Sequence, residues 1–408
     1  MTDQTDKKRQ IQKNKLKAGL VDRDTVPKKE QSRAPLVAVA VIAALIAIAG
    51  FFVYRFRTRL ATETEILWQK DLVGGEETSV FRGYQPFCGG MIMYSRDGAE
   101  FTDGKGNSVW QRSFQMEDPA ISTGGQCAVI YDRGGKQFFI FSESGVTGEA
   151  AAAMPVVKAA VSGKGVVYAV LSDADAAYIE AYRKDGTAID LSVKSVVTGD
   201  GYPFDIAVSP DGSQLITSYV SVSDGEVKES VVFRNFGDVG QNADSRRVVG
   251  GFIKEFEGHI VTRVTFPDDT HAHAFYDGGI VFFSTKVLNS PEIVEHIRPE
   301  GTILSIAEGG DHTAIIVEEA SGTRTLQIYD ITGKLTGTAD ITANYTGFTV
   351  GEKKVLLYNQ KNIYGYSFSG NQILAAKYDG KAAAAADTTS FRDIIIADGS
   401  MLTRISVK

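Results

Sequence analysis

The sequence predicts an all-β protein folded as a β-propeller, on the evidence of its composition, its repeat length and its turns. It is rich in Gly, Val, Ile, Tyr and Phe and poor in Pro, which is typical of many short strands joined by tight turns. From Glu65 onward the chain falls into units of about forty residues, a spacing that indicates propellers or arrays. Asp-Gly steps, a strong hairpin signal, recur at Asp97, Asp103, Asp185, Asp200, Asp211, Asp224, Asp277, Asp379 and Asp398.

Each unit contains an apolar inner strand, a turn, a second apolar strand and two more polar outer strands. The most regular inner strands are VVKAAVS (156–162), FDIAVSPDG (204–212), VTRVTF (261–266) and ILSIAEGG (303–310). In a propeller such first strands line the central channel, and successive units form successive blades.

The two ends of the repeat region complete one unit between them. The segment IIIADGSMLTRISVK (394–408) supplies inner strands but stops before an outer strand, and ILWQKDL (66–72) is an outer strand without a unit of its own. Joining them in one blade closes the ring and removes exposed sheet edges. This count predicts eight blades. Seven is the alternative, because the 200–257 unit is long and irregular.

The segment before the repeats predicts a membrane anchor. Residues 1–34 carry ten Lys or Arg against five Asp or Glu, a composition that favours disorder and a cytoplasmic position. Residues 35–54, PLVAVAVIAALIAIAGFFVY, carry no charge and are long enough as a helix to cross a hydrocarbon core of about 30 Å. A cleaved signal peptide is the alternative, because Ala47-Ile48-Ala49 resembles a cleavage site.

We therefore expect a single-pass protein of the cell membrane with its N-terminus inside. A linker over 55–64 leads to an extracytoplasmic propeller domain over 65–408. The chain has a net charge of −7, and its acidic excess lies entirely after the basic tail, which argues against a nucleic-acid partner. The two cysteines, Cys88 and Cys127, are too few for a disulfide scaffold and leave open one disulfide or two free thiols.

Several phrases carry a resemblance to known propellers. SPDG (209–212) after an apolar strand resembles the blade turn of WD-repeat and TolB-like propellers, and the Gly-rich turn before Val109-Trp110 resembles quinoprotein-type propellers. The whole of 35–408, above all GYPFDIAVSPDG (201–212) and FRNFGDVGQN (233–242), resembles an uncharacterised family of bacterial single-pass membrane proteins. That resemblance implies a propeller-like domain of unknown function in the cell envelope, and it transfers no catalytic residue.

Candidate binding residues follow from the connectivity of a propeller, whose ligand sites usually lie on one face or at the channel mouth. The loops RGYQPF (82–87), DGYPF (200–204) and 221–229 are expected on one face, and the irregular segment 233–251 interrupts the blade pattern. The predicted ligand-binding or partner-binding residues are Arg82, Tyr84, Asp173, Asp175, Asp200, Tyr202, Asn235, Gln241 and Asn242. The alternatives are that the two tyrosines plug the channel and that 233–251 caps a blade edge.

No motif predicts a metal, a cofactor or a catalytic residue. His271 and His273 alternate along one predicted strand and share a face, but no third ligand stands at a telling spacing. The segment DADAAY (173–178) lacks the Gly and the final Glu of a calcium loop. The chain has no GxSxG, HExxH or P-loop sequence.

The sequence thus favours a membrane-anchored propeller that binds or scaffolds a protein or glycan partner in the bacterial envelope. One alternative is an envelope hydrolase of glycans or peptides with carboxylates in its channel, and another is a sensor that relays binding to the tail. A hydrolase should concentrate carboxylates of perturbed pKa in the channel, whereas a scaffold should expose an apolar surface on one face.

Overall fold

The computed structural model describes residues 3–18, 34–72, 81, 83–223, 225–243 and 246–408. The chain divides into two compact units, Met1–Phe56 and Arg57–Lys408. The second unit contains eight four-stranded antiparallel sheets, seven of them built from consecutive strands. The predicted all-β propeller of eight blades is confirmed.

The first four blades follow one another along the chain. Blade 1 contains β2 (Gly83–Phe87), β3 (Gly90–Tyr94), β4 (Gly98–Thr102) and β5 (Ser108–Ser113); blade 2 contains β6 (Pro119–Gly124), β7 (Cys127–Asp132), β8 (Gln137–Ser142) and β9 (Gly145–Ala151). Blade 3 contains β10 (Val156–Val161), β11 (Val167–Ser172), β12 (Ala176–Tyr182) and β13 (Ala188–Val196); blade 4 contains β14 (Tyr202–Val208), β15 (Gln214–Ser223), β16 (Glu226–Asn235) and β17 (Val248–Phe252). A short helix, α3 (Asp238–Gln241), joins β16 to β17, and a 3-10 turn (Lys254–Phe256) follows β17.

The remaining blades complete the ring. Blade 5 contains β18 (Val261–Thr265), β19 (His271–Tyr276), β20 (Gly279–Ser284) and β21 (Glu292–Ile297); blade 6 contains β22 (Thr302–Gly309), β23 (His312–Glu318), β24 (Arg324–Asp330) and β25 (Leu335–Asp340). Blade 7 contains β26 (Gly347–Val350), β27 (Val355–Tyr358), β28 (Asn362–Tyr366) and β29 (Gln372–Lys377); blade 8 contains β30 (Ala384–Asp387), β31 (Asp393–Ala397), β32 (Met401–Val407) and β1 (Thr64–Asp71).

Blade 8 closes the ring with strands from both ends of the repeat region, as the sequence predicted. Strand β1 pairs antiparallel with β32 from Thr64 opposite Val407 to Asp71 opposite Met401. Just before β1, the backbone amide of Thr62 donates to the carbonyl of Lys408 at 3.0 Å, and the amide of Lys408 donates to the carbonyl of Glu63 at 2.7 Å. Because β1 pairs with β32, the edge of β32 that faces away from β31 is covered by the outer strand.

The core consists of eight apolar clusters, one at each interface between neighbouring blades. The second strands are buried on both sides because each lies in the middle of its blade and contacts the blades before and after it. Trp110 of blade 1, for example, stacks on Phe141 of blade 2 with ring centroids 4.5 Å apart. Aromatic and β-branched side chains therefore hold the ring together blade by blade.

The connections define two faces of the disc. The AB face carries the turns that join first to second strands and third to fourth strands, together with residues 61–63 and Lys408. The DA face carries the turns that join second to third strands and the connections from one blade to the next. The first strand of every blade runs from the DA face to the AB face along the central channel.

The first unit contains two helices, α1 (Asp3–Ala18) and α2 (Ala34–Thr58), the second of which runs two residues into the propeller unit. Helix α1 lies in the tail for which the composition favoured disorder. Within the described part of the chain, no helix meets the combined length and hydropathy of a membrane span. The predicted span over 35–54 is therefore without structural support, and α2 is the element that contains it.

The two cysteines do not form a disulfide in this structure. Cys88 lies in the turn between β2 and β3, with its Sγ 4.0 Å from the carbonyl of Gly125 in blade 2. Cys127 begins β7 and is buried, with its Sγ 3.6 Å from the carbonyl of Gly163 in blade 3. Burial raises the pKa of the Cys88 thiol to about 11, and burial also raises the pKa of Cys127, so neither is an activated nucleophile.

Candidate functional site: the central channel and the DA face

The central channel contains two adjoining cavities that share part of their walls. The larger, of about 740 Å³, is lined by the first strands of blades 1 to 6, and the smaller, of about 410 Å³, by those of blades 1, 2, 6, 7 and 8. Both include Gln85, Thr123 and Glu308 in their walls. Volumes of this order are typical of small-ligand sites.

Blades 3 to 6 differ from the others in their first strands. The pairing between first and second strands slips by one residue at Val157, Phe204, Thr262 and Leu304, which makes a β-bulge in each of these four consecutive blades. The corresponding pairs in blades 1, 2, 7 and 8 are in continuous register over the residues described. Bulges re-aim side chains and are over-represented beside functional sites, so half of the channel wall has a distinct geometry.

The residue after each bulge is polar, and together these four residues, Lys158, Asp205, Arg263 and Ser305, form what we call the channel belt. Lys158 Nζ lies 2.7 Å from Asp205 Oδ1, and Asp205 Oδ2 accepts the backbone amide of Val264 at 2.8 Å. Ser305 Oγ lies 2.8 Å from the hydroxyl of Tyr345. These bonds join blade 3 to 4, blade 4 to 5 and blade 6 to 7 around the channel.

A second buried carboxylate, Glu308 of blade 6, faces the same cavity. It receives His273 Nδ1 at 2.6 Å and the hydroxyl of Thr265 at 2.9 Å, while His273 Nε2 lies 3.0 Å from the carbonyl of Ile331. Burial alone would raise the pKa of Glu308, but the hydrogen bond from His273 and the charges of His273 and Arg263 outweigh it and lower the pKa. Glu308 is therefore an ionised, fully engaged carboxylate and not a poised acid.

The histidine pair of the sequence analysis is divided between two partners. His271 Nδ1 lies 2.9 Å from a carboxylate oxygen of Asp268, whereas His273 Nδ1 contacts Glu308, as described above. Among the described residues, no group of three or more potential metal ligands is gathered.

Tyr84, Asp173, Asp175, Asp200 and Tyr202 lie on the DA face, as the connectivity implied, whereas Asn235, Gln241 and Asn242 lie at the end of β16 or in the third-to-fourth connection of blade 4 that follows it, on the AB face. Tyr84 packs against the core between blades 8 and 1, and Tyr202 against the core between blades 3 and 4, so neither frames the channel mouth. Asp173 and Asp175 lie in an exposed turn whose Asp175 carbonyl accepts the amide of Val197 at 3.4 Å. Arg82 lies outside the described residues.

The predicted residues of the irregular segment have structural contacts. Asn235 is buried, and its Oδ1 accepts the backbone amides of Gly237 at 2.9 Å and Gly240 at 3.4 Å, which holds the start of α3. Gln241 and Asn242 are exposed at the end of α3. Farther along this connection, Arg246 Nη1 lies 2.7 Å from Asp200 Oδ1 and ties the segment to the turn before β14.

An exposed apolar surface occupies the DA end of blades 3 to 6. Over the described part of blades 1, 2, 7 and 8, this face has no comparably exposed large hydrophobic side chain. We call it the apolar DA surface, and its members are Val196, Val197, Phe204, Val222, Val227, Ile253, Ile260 and Leu304.

The most prominent part of this surface is the hairpin of β15 and β16, the two longest strands of the propeller. They pair as far as Ser223 opposite Glu226, whereas β14 begins opposite Val220 and β17 ends opposite Val231. The hairpin therefore projects beyond its own blade. Val222 and Val227 pair across its tip and are 69% and 50% exposed, so a cross-strand apolar pair is presented to solvent.

Glu229 lies at the base of this hairpin, on the third strand of blade 4 and therefore away from the channel wall. Its side chain is buried, and burial raises its pKa to about 7; the Val261 backbone amide lowers that pKa and the Asp277 carboxylate raises it further. A carboxylate of this kind destabilises the fold once it ionises.

We expect Glu229→Gln to remove a pH dependence of stability. Because the folded-state pKa lies above the unfolded one, the stability that Glu229 contributes is fully present below pH 4.5 and is lost as the pH rises to about 7. In urea titrations, the free energy of unfolding of the wild type should fall by on the order of 2 kcal/mol between pH 5 and pH 8, relative to that of the variant. Parallel pH profiles of the two proteins would contradict this assignment.

These features define a closed eight-bladed β-propeller with a polar channel and an exposed apolar surface on the DA side of blades 3 to 6. The chain belongs to a family of unknown function, DUF5711, which matches residues 57–407. A search of curated proteins gave no match.

Three solved structures are similar to this chain at low identity, each with a TM-score below 0.5. Hydrazine synthase of Kuenenia stuttgartiensis is 12% identical over 76% of this chain and 99% of that chain, with a TM-score of 0.44. The Pan2 WD40 domain of Neurospora crassa is 8% identical over 85% and 97%, with a TM-score of 0.45. Hsv2 of Kluyveromyces lactis is 11% identical over 74% and 98%, with a TM-score of 0.47.

The channel belt was not predicted, although the sequence carries a signal for it. When the four regular inner strands are aligned on the turns that follow them, each has a polar residue at the same position, namely Lys158, Asp205, Arg263 and Ser305. A polar residue repeated at one register of an otherwise apolar inner strand indicates a channel-facing position. The bulges that create that position cannot be read from the alternation of side chains, because they change its period locally.

Proposed function

We propose that this propeller is a binding or scaffolding module that docks a partner protein on the apolar DA surface. The observation that supports the proposal is that, on the DA face, the described large hydrophobic side chains of highest exposure lie in four consecutive blades, 3 to 6. Monomeric proteins rarely leave such side chains clustered in water, and a cluster of this kind marks interaction sites. The projecting Val222–Val227 pair would enter a pocket of the partner as its anchor.

The channel carboxylates argue against the hydrolase alternative. Of the carboxylates that line the two channel cavities, Asp205 is engaged by Lys158 and the Val264 amide, Glu308 by His273 and Thr265, and Asp387 by Lys354, while Glu352 is exposed at the rim. A glycosidase needs a carboxyl group with a raised pKa next to the glycosidic bond that it cleaves. The described carboxyl group with a pKa near 7 is Glu229, which does not face the channel.

Site-specific photocrosslinking in cells tests the docking surface. A photoreactive phenylalanine analogue placed at Val222 should give a discrete crosslinked product with one partner protein. The same analogue at Lys361 is the matched control, because that exposed turn lies on the same face but in blade 7, outside the apolar DA surface. We expect Val227→Asp, combined with the analogue at Val222, to abolish the product without lowering the unfolding temperature.

Equal crosslinking from Val222 and Lys361, or none from either, would contradict the proposed docking surface. An undiminished product in the Val227→Asp background would show that the apolar pair is not the anchor.

We further propose that residues 35–54 anchor the propeller in the cell membrane and that the propeller lies in the envelope. The support is the uncharged twenty-residue run, together with the exposure of Val39, Ile42, Ile46 and Phe52 along α2. The full chain should then stay in the membrane pellet after alkaline carbonate extraction, and Ile42→Arg combined with Ile46→Arg should release it. Release of the unmodified chain by carbonate would exclude an integral anchor. The extraction does not test the sensor alternative, in which residues 1–34 relay ectodomain binding to a cytosolic protein.

A further inference from the structure

We propose that Arg263 in the channel belt is the centre of an oxyanion-binding site, for a carboxylate or a phosphate group that enters from the AB face. The proposal concerns the channel and is independent of the partner surface on the DA face. It rests on the accessibility of the charges, on the hydrogen bonds already made, and on the form of the cavity.

Among the charged side chains that line the large cavity, the carboxylates are buried and the cations are accessible to solvent. The two carboxylates are buried, with 4% of the Asp205 side chain and 8% of the Glu308 side chain exposed. The two cations are accessible, since 43% of the Lys158 side chain is exposed and Arg263 belongs to the exposed residues. The formal charges of these four side chains that line the cavity therefore balance, but the accessible ones, which a ligand meets, are positive.

The hydrogen bonds point to Arg263 as the available donor. Asp205 forms an ion pair with Lys158 through Oδ1 and accepts the Val264 amide at Oδ2, and Glu308 accepts from His273 and Thr265, so each carboxylate already has partners other than the guanidinium. Among the described residues, Arg263 makes no hydrogen bond or ion pair and influences Glu308 only through its charge. Its donors form a planar fork that matches the oxygens of a carboxylate or phosphate.

The cavity offers a route and room for such a group. The AB-face rim of the two channel cavities carries Gly89, Gly125, Gly163, Gly310 and Gly351, which present no side chain to block entry. Thr262 and Arg263 are both exposed because the bulge in β18 turns two successive residues away from the sheet. The bulge thus places the guanidinium in the cavity wall, and Lys158 two blades away supplies a second positive charge.

Isothermal titration calorimetry on the purified full chain in detergent tests the site with two probes. Inorganic phosphate stands for a free oxyanion, and the capped peptide acetyl-Glu-Glu-Glu-Glu-amide stands for an acidic polypeptide segment. We expect the wild type to bind at least one probe, more weakly at higher salt. Arg263→Gln should weaken that binding roughly 10- to 100-fold, the range for losing a hydrogen bond to a charged group, and Arg263→Lys should retain part of it.

Two controls keep the test decisive. Arg112→Gln changes an exposed arginine on the outer strand of blade 1 and should bind like wild type. The unfolding temperature of Arg263→Gln should match wild type, because its side chain makes no hydrogen bond within the described chain. Tighter binding of the peptide than of phosphate assigns the site to an acidic segment, and the reverse assigns it to a small anion. Failure of wild type to bind either probe, or unchanged binding by Arg263→Gln, overturns the proposal.

Discussion

Deletion of residues 64–71 is expected to destabilise the propeller strongly and to make it associate. These residues are β1, the outer strand of blade 8, and their loss exposes the edge of β32 along its paired length. It also removes Trp68, whose indole Nε1 donates to the carbonyl of Gly104 in blade 1 at 3.1 Å. An exposed edge strand templates aggregation. We expect a fall in Tm on the order of 10 °C or more, with oligomers in size-exclusion chromatography.

A relocation variant separates the role of the strand from the effect of deletion. Because Lys408 hydrogen-bonds to Thr62 and Glu63, the end of β32 lies beside the start of β1. Residues 64–71 can therefore be moved to the C-terminus after a short Asn-Gly turn, to pair with β32 as a hairpin. The relocated protein should recover most of the Tm and elute as wild type does. A deletion variant as stable as wild type would show that blade 8 does not need its fourth strand.

Lys354→Met is expected to cost about 3–5 kcal/mol of stability, the range for breaking a buried ion pair. Lys354 lies in the turn between β26 and β27 of blade 7 and is fully buried, and its Nζ contacts Asp387 Oδ1 and donates to the Asp393 carbonyl at 3.2 Å. Burial lowers the pKa of Lys354, and the charge of Asp387 opposes that shift. Removal of the amine leaves the Asp387 charge buried without its cation, between blades 7 and 8.

The double variant Lys354→Met with Asp387→Asn tests this cause. It removes both charges and keeps an acceptor for the backbone amide of Lys353, which Asp387 Oδ2 binds at 2.9 Å. We expect chemical denaturation to show most of the stability restored. Arg133→Met, which breaks an exposed pair with Asp118, should change stability little. A double variant as unstable as the single would mean that lost packing, and not the buried charge, is responsible.

Much of the fold could be predicted from the sequence because its signals are local and repeated. Asp-Gly steps and apolar strands in units of about forty residues need no tertiary information to indicate blades. The closure of the ring in blade 8 could also be predicted, because segments 66–72 and 394–408 each contain only part of a repeat unit. The long unit at 200–257 raised doubt about the blade count because β15 and β16 are extended and α3 interrupts the passage to β17.

The candidate site was harder to predict from the sequence because it depends on which side chains remain accessible after the blades pack. Tyr84 and Tyr202 have the residue type and loop position of ligand contacts, yet both pack into inter-blade cores. Asn235 holds the start of α3. Conversely, Val222 and Val227 are unremarkable in sequence and become prominent because their hairpin outgrows its neighbours. The length of a hairpin relative to adjacent strands is a tertiary property.

The entry of the chain through β1 has a mechanical consequence. Tension on the segment before Thr64 reaches the propeller through the backbone bonds of Ala61 with Ile373 and Ala375 of blade 7 and then through β1, which runs from the AB face to the DA face. Hydrogen bonds between antiparallel strands lie across the strand direction, so a pull along β1 loads its seven paired positions with β32 in shear and all together. A load applied outward from the AB face would meet the closing blade in its most resistant geometry, whereas a sideways pull at Thr64 would peel the pairs apart one after another.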